Sequence, residues 1–138
     1  MNIIAAIDDK QGMMFNKRRQ SKDRGLRKNM LSEVGDAKLW MNAYSFEQFE
    51  EAMGTNVSVA EDFVDKAEVG EYCFVENIAI TEYEGKIENL ILYKWNRVYP
   101  SDLKLDIDLN SSNWQLVTTE EFEGSSHDKI TKEVWKHV

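Results

Sequence analysis

One cysteine, one proline and two histidines stand in a chain of 138 residues. A lone Cys73 can close no intramolecular disulfide. Its place in Tyr72-Cys73-Phe74-Val75 reads as a buried thiol acting as a small hydrophobe. His127 and His137 both lie near the C-terminus, too few and too late for a His-rich metal centre. No apolar run approaches the roughly 20 residues of a membrane span. Ile3 to Ile7 is too short for a secretory leader, because Asp8-Asp9 closes it. The expected setting is the cytoplasm, with no membrane partner. Walker loops, Gly-x-Gly-x-x-Gly turns and Gly-x-Ser-x-Gly elbows are all missing, although counting alone does not exclude Ser-His-Asp chemistry. Asp106-Ile107-Asp108-Leu109-Asn110 opens like a calcium loop. It fails at Ser111, where glycine is needed, and at Val117, where glutamate is needed.

Positive charge is scarce except in one place. The chain carries a net −8, yet Lys17, Arg18, Arg19, Lys22, Arg24, Arg27 and Lys28 fall within twelve positions that hold a single acid, Asp23. That segment is +6 and everything outside it sums to −14. Concentrated charge of this kind makes a local field that the overall balance hides, and it marks where an anion would dock. Ser21 is a candidate helix cap with Asp23 in the first turn. Cations beside a helix start are unfavourable unless an anion completes the arrangement. The alternative is a solvated basic face paired with acids elsewhere.

The length suits one domain, residues 1–138, able to bury about 65–70% of the surface its unfolded form exposes. Asn2 to Asp8 is a continuous apolar run closed by acids, which fits a strand buried on both faces. Met13-Met14-Phe15 is expected in a loop over a pocket or a neighbour. Leu26, Met30 and Val34 then give a helical stripe ended by Gly35. Gly25 costs that helix about 1 kcal/mol against alanine, which suggests a close approach by backbone or ligand. Lys38 to Met41 reads as a short strand. Ser45 and Ser58 each open a capping box, the first for a helix with Phe46, Phe49 and Met53 inward. The second follows a brief strand at Asn56-Val57 and turns Val59, Phe63 and Ala67 inward. Further strands are expected over Tyr72 to Val75 and Ile87 to Trp95, with a helical turn near Ile78 to Tyr83. Trp114 to Phe122 and Lys129 to His137 read as a terminal antiparallel hairpin. The alternation implies an α/β fold: a single domain with a mostly parallel central sheet, short flanking helices and a C-terminal antiparallel hairpin.

This order of elements resembles dihydrofolate reductase across most of the chain. Asn2 to Asn16 is similar to that family's first strand and active-site loop. Leu39-Trp40-Met41-Asn42-Ala43-Tyr44-Ser45-Phe46 resembles the passage that holds its Gly-Arg-Lys-Thr motif, and Tyr72 to Asn77 resembles the strand that ends in Gly-Gly. Leu90 to Tyr93, Trp114 to Phe122 and Glu133 to Lys136 are similar to its last strands. The departures fall at the cofactor. Asn42-Ala43-Tyr44-Ser45 replaces Gly-Arg-Lys-Thr, so the phosphate-meeting arginine is missing. Glu76-Asn77 replaces Gly-Gly, putting side chains and a negative charge where backbone should approach a pyrophosphate. The resemblance therefore implies an oxidoreductase-type fold whose NADPH site is not expected, leaving the cofactor unknown.

The resulting expectation is a pocket for a small anionic ligand, pterin- or nucleotide-like, beside the first strand and the basic helix. Ala5, Ala6 and Asp23 would line it, Asp23 as the catalytic or pterin-orienting carboxylate that the resemblance implies. Arg18, Arg19, Lys22 and Arg27 would contact the anion, with Met14 and Phe15 as a lid. No residue is assigned to a metal or a cofactor, and whether any catalysis survives stays open. Two alternatives remain: an RNA- or nucleotide-binding, nuclease-like protein using residues 17–28, or a non-catalytic interaction module that forms a homodimer or a complex with a partner. The −14 outside the segment disfavours a long polyanion.

Overall fold

Strand β1 (Asn2–Ile7) is the centre of the molecule, and its composition explains why. Ile3, Ile4, Ala5 and Ile7 are each at most 2% exposed, so the strand has no wet face. A continuous apolar run is stable only where both faces of a sheet are covered. The computed structural model describes residues 1–49 and 56–138. After β1 come β2 (Gly12–Phe15), β3 (Arg18–Arg19), α1 (Arg24–Val34), β4 (Leu39–Met41), α2 (Ala43–Phe46), β5 (Val57–Val59), α3 (Phe63–Lys66) and β6 (Tyr72–Phe74). A 3-10 turn (Thr81–Lys86), β7 (Asn89–Lys94), β8 (Leu103–Lys104), β9 (Trp114–Phe122) and β10 (Ile130–His137) complete the order.

Seven strands make one sheet in the order β5-β4-β6-β1-β7-β10-β9. The first five are parallel to one another; β10 is antiparallel to β7, and β9 is antiparallel to β10. The expected α/β sheet with a terminal hairpin is thus observed. Side chains alternate between two cores as the pleat requires. Ile3, Ala5, Ile7, Cys73, Leu90 and Leu92 fill one side. On the other, Ile4, Phe74, Ile91 and Tyr93 meet Leu26, Met30 and Val34, the stripe of α1. Burial pushes the Cys73 thiol up to about 12, so it is an inert part of the core.

Met13 and Met14 do not sit in a loop. They lie in β2, 4% exposed each, while Phe15 is 47% exposed. A second, three-stranded sheet, β3-β2-β8, holds them. Its β2–β3 hairpin turns on Asn16 and Lys17, both with positive φ (52° and 63°), the signature of a tight turn with left-handed central residues. Asp8 ties this sheet to β1. Its carboxylate is 1% exposed and accepts from the N–H groups of Gly12 at 2.7 Å, Lys10 at 2.9 Å and Tyr99 at 3.0 Å. The Gln20 side-chain amide adds a fourth donor at 3.2 Å.

Local caps differ from the reading of the two serine boxes. α1 is capped by Asp23, not Ser21, and α2 by Asn42, whose Oδ1 accepts from Ser45 N–H at 3.0 Å. Ser58 and Val59 belong to β5, with Val59 44% exposed, and α3 starts after Asp62. Met53 and Gly54 lie outside the described residues. No helix among the described residues is long and apolar enough to cross a membrane. Replacing Asp8 by alanine takes the acceptor from three N–H groups, that of Gly12 buried and those of Lys10 and Tyr99 partly so, at a cost of about 2–3 kcal/mol. Urea unfolding of Asp8→Ala, with the slope unchanged, should show a midpoint lowered by that free energy divided by the slope.

Candidate functional site

Two features of the sheet set the site. The chain leaves β1 on the α1 face and leaves β6 towards β7 past the opposite core, so the C-terminal ends of β1 and β6 form a switch point. In open α/β sheets this is where ligands bind. Here Glu76, just past β6, is 8% exposed and held from several sides. Arg19 grips it with Nε at 2.9 Å and Nη2 at 3.3 Å; Ser45 Oγ donates at 2.8 Å and Gln48 Nε2 at 3.1 Å. The guanidinium also lies 4.3 Å from the centre of the Tyr44 ring, and Tyr44 Oη accepts from Arg19 N–H at 2.8 Å. Burial opposes the Arg19 charge, but the hydrogen bond and charge of Glu76 outweigh it and raise the guanidinium above its ordinary value.

The second feature is the start of α1. Helix N-termini leave their first N–H groups without partners. Asp23 Oδ1 accepts from Leu26 N–H at 3.0 Å, and Ser125 Oγ accepts from Arg24 N–H at 3.0 Å and Gly25 N–H at 3.3 Å. The anion that this basic helix start called for is thus Asp23 itself. The same carboxylate, 2% exposed, takes the N–H groups of Ser125 at 3.0 Å and Ser126 at 2.8 Å and His127 Nδ1 at 2.9 Å. Burial alone would raise its pKa. The Ser126 N–H, the His127 ring and the Ser125 and Leu26 N–H groups overcome that and hold it well below the usual carboxylate range. The contact needs two glycines. A Cβ on Gly124 would stand 2.5 Å from Asp23 Oδ2, and one on Gly25 would stand 3.2 Å from Ser125 N. The close approach expected at Gly25 is the backbone of the β9–β10 turn.

Beside this junction a cleft of about 360 Å³ opens. Lys22, Arg24 and Arg27 line it from α1 and its approach, Gln48 and Glu47 from beyond α2, and Ser125 and Ser126 from the hairpin turn. Of the residues picked from the sequence, the structure brings Lys22, Asp23 and Arg27 together here. The rest go elsewhere. Ala5 is packed in the first core and Ala6 against the second. Met14 lines a different hollow, of about 370 Å³, with Lys17, Asn77, Asp102 and Leu103. Phe15 and Arg18 are exposed on the β2–β3 hairpin, and Arg19 is turned to Glu76. Lys17 sits in the tight turn itself, Arg18 on the exposed hairpin beside it, and Arg19 is drawn to the buried Glu76 carboxylate. Sequence reasoning did not single out Ser125, Ser126 and Gln48, because nothing local links a C-terminal turn to residue 23. Among the described residues no group of three or more His, Cys, Asp or Glu side chains could hold a metal ion.

Asp23 makes an acid-stability prediction. A carboxyl whose folded pKa lies below its unfolded value of about 4 stabilises fully above that value, and the contribution is lost as pH falls below it. Thermal unfolding should therefore weaken between about pH 5 and pH 2 in the native chain. Asp23→Asn should be less stable at neutral pH and show a flatter profile. Gly124→Ala should cost about 1–3 kcal/mol by overpacking, read by the same unfolding measurement.

No family model matches the chain, and no curated protein matches it in sequence. In three dimensions it is similar to dihydrofolate reductase from Enterococcus faecalis, solved as a complex with NADP(H) and RAB-propyl. The TM-score is 0.69 at 12% sequence identity, over 99% of this chain and 95% of that one. At that identity the likeness speaks for the architecture alone, and the chain is a divergent example of the dihydrofolate reductase fold.

Proposed function

We propose that this protein binds a small anionic ligand, of pterin or nucleotide size, in the cleft at the start of α1, and that it does so without a standard NADPH site. The observation that carries the reading is the convergence of Lys22, Arg24 and Arg27 on one cleft of about 360 Å³ in a chain of net charge −8. That volume falls in the range of small-molecule sites. Guanidinium forks suit phosphate and carboxylate, and the hydroxyls of Ser125 and Ser126 lie along the same wall. Asp23 has its oxygens taken by the helix and the turn, so its part is to fix that wall rather than to meet the ligand.

The dinucleotide half is argued against by Glu76. This carboxylate, clamped by Arg19 and Ser45 at the switch point, fills space that backbone would need to vacate, and its ion pair commits the Arg19 guanidinium that a pyrophosphate would otherwise meet. On that ground the residues at this end of the sheet do not fit NADPH. A long polyanion such as RNA is disfavoured, because four of the seven clustered cations, Lys17, Arg18, Arg19 and Lys28, do not line the cleft and the charge outside the segment sums to −14.

Calorimetric titration with inorganic pyrophosphate tests the site. Saturable one-to-one binding is expected, weakened at least about tenfold in Arg24→Ala and suppressed by salt. Heats unchanged by that substitution would end the reading. Titration with NADPH should leave the tryptophan fluorescence without a saturable quench.

A further inference from the structure

The buried histidine beside the cleft is more than a tie between helix and hairpin. Ser21 Oγ lies 2.9 Å from His127 Nε2, and His127 Nδ1 lies 2.9 Å from Asp23 Oδ2. Hydroxyl, imidazole and carboxylate are thus joined in series through the two ring nitrogens. We propose that Ser21 is a nucleophile with His127 as its base and Asp23 as the group that orients that base, giving the chain an acyl-transfer activity towards small carboxylic esters.

The hydrogen-bond network assigns the direction of each bond. Asp23 already accepts from the N–H groups of Leu26, Ser125 and Ser126, as an ionised carboxylate does. It can only accept, so Nδ1 of His127 carries the ring proton. In the neutral ring Nε2 is then a bare lone pair, and the Ser21 hydroxyl must donate to it. This is the arrangement a serine needs in order to lose its proton as it attacks. The ring is fixed in place by Trp95, whose own ring centre lies 4.6 Å away. Ser21 and Asp23 stand two positions apart in the segment that leads into α1, and both reach the same imidazole. Asp23 and His127 are buried and Ser21 is partly exposed, so the reactive end of the series faces outward. Lys22, next in the chain, lines the basic cleft. His127 itself lines a hollow of about 380 Å³ with Trp95, Asn96 and Arg97.

The chemistry balances with water as the only co-reactant. Ser21 Oγ bonds to the ester carbonyl carbon as its proton passes to His127 Nε2. The tetrahedral intermediate collapses, the bond to the alcohol oxygen breaks, and Nε2 returns the proton to that oxygen. The acyl group is left on Ser21. Water then attacks the acyl carbon, giving its proton to Nε2, and the second collapse returns a proton to Oγ and releases the acid. Nothing is oxidised or reduced. None of this requires an anion in the cleft, so the pyrophosphate titration can fail without touching it.

The test uses the full chain and p-nitrophenyl acetate near neutral pH. Release of nitrophenolate and an acetyl group on the Ser21 peptide by mass spectrometry are expected. Both should vanish in Ser21→Ala, which removes one hydrogen bond and should keep the fold, and persist in Ser32→Ala, an exposed serine of α1. Ser21→Cys should restore acylation on sulfur. His127→Gln should slow release at least about 100-fold. Asp23→Asn should slow it per folded molecule, the folded fraction being read from tryptophan fluorescence; an unchanged rate per folded molecule would remove Asp23 from the scheme. Acetylation scattered over lysines, or equal in Ser21→Ala and the native chain, would overturn the proposal and leave the three residues as a structural clamp.

Discussion

The carboxylate of Asp23 joins parts of the chain about a hundred residues apart. It closes the first turn of α1 through Leu26 and fastens the β9–β10 turn through Ser125, Ser126 and His127. The hairpin is held as well by its pairing to β7, by Lys132 Nζ on Glu33 at 3.1 Å and by Asn96 Nδ2 on Thr131 at 2.9 Å, while strand β9 is exposed along almost its whole length. A buried charge is tolerable when several donors replace its water. Here they come from two elements at once, so helix and hairpin cannot part without stranding the charge. The cleft opens at this junction between a cationic wall and a hydroxyl-bearing one, with Glu47 and Gln48 on a further side.

A second buried carboxylate, Glu76, sets what the rest of the sheet edge can accept. Its partners come from β3, α2 and the segment that follows α2, so one side chain draws three elements across the end of β6. Removing any partner would leave the charge under-compensated, which is why such clusters are rigid. The basic segment is consequently divided in its duties. Lys17, Arg18 and Lys28 are exposed, Arg19 neutralises Glu76, and Lys22, Arg24 and Arg27 line the cleft. A run of charge that looks like one patch in sequence is three separate environments in space.

Much of the scaffold was legible beforehand. β1 could be read because every residue from Ile3 to Ile7 is apolar. α1 could be read because Leu26, Met30 and Val34 repeat at the helical period, and the hairpin because two long extended runs flank Gly124-Ser125-Ser126. The small sheet was not legible. Asn16-Lys17 lacks the glycine that announces a tight hairpin, and β3 and β8 have two residues each. The caps misled for a related reason. Ser45 satisfies a capping pattern locally, yet its hydroxyl serves Glu76, while Asn42 caps α2 and Glu61 accepts from Ala43 N–H at 3.1 Å from across the fold. Local rules rank candidates for a cap; distant partners choose among them.

Periodicity and composition determined the class of the fold, the buried strand at its centre, the helix stripe and the uneven charge, because these depend on neighbours along the chain. Which cations share a cleft, which carboxylate completes the helix, and that Ser21, His127 and Asp23 meet at all were decided only by the tertiary structure. The bonds that Ser21 and Asp23 make to the β9–β10 turn span more than a hundred residues, and no local pattern brings those groups together.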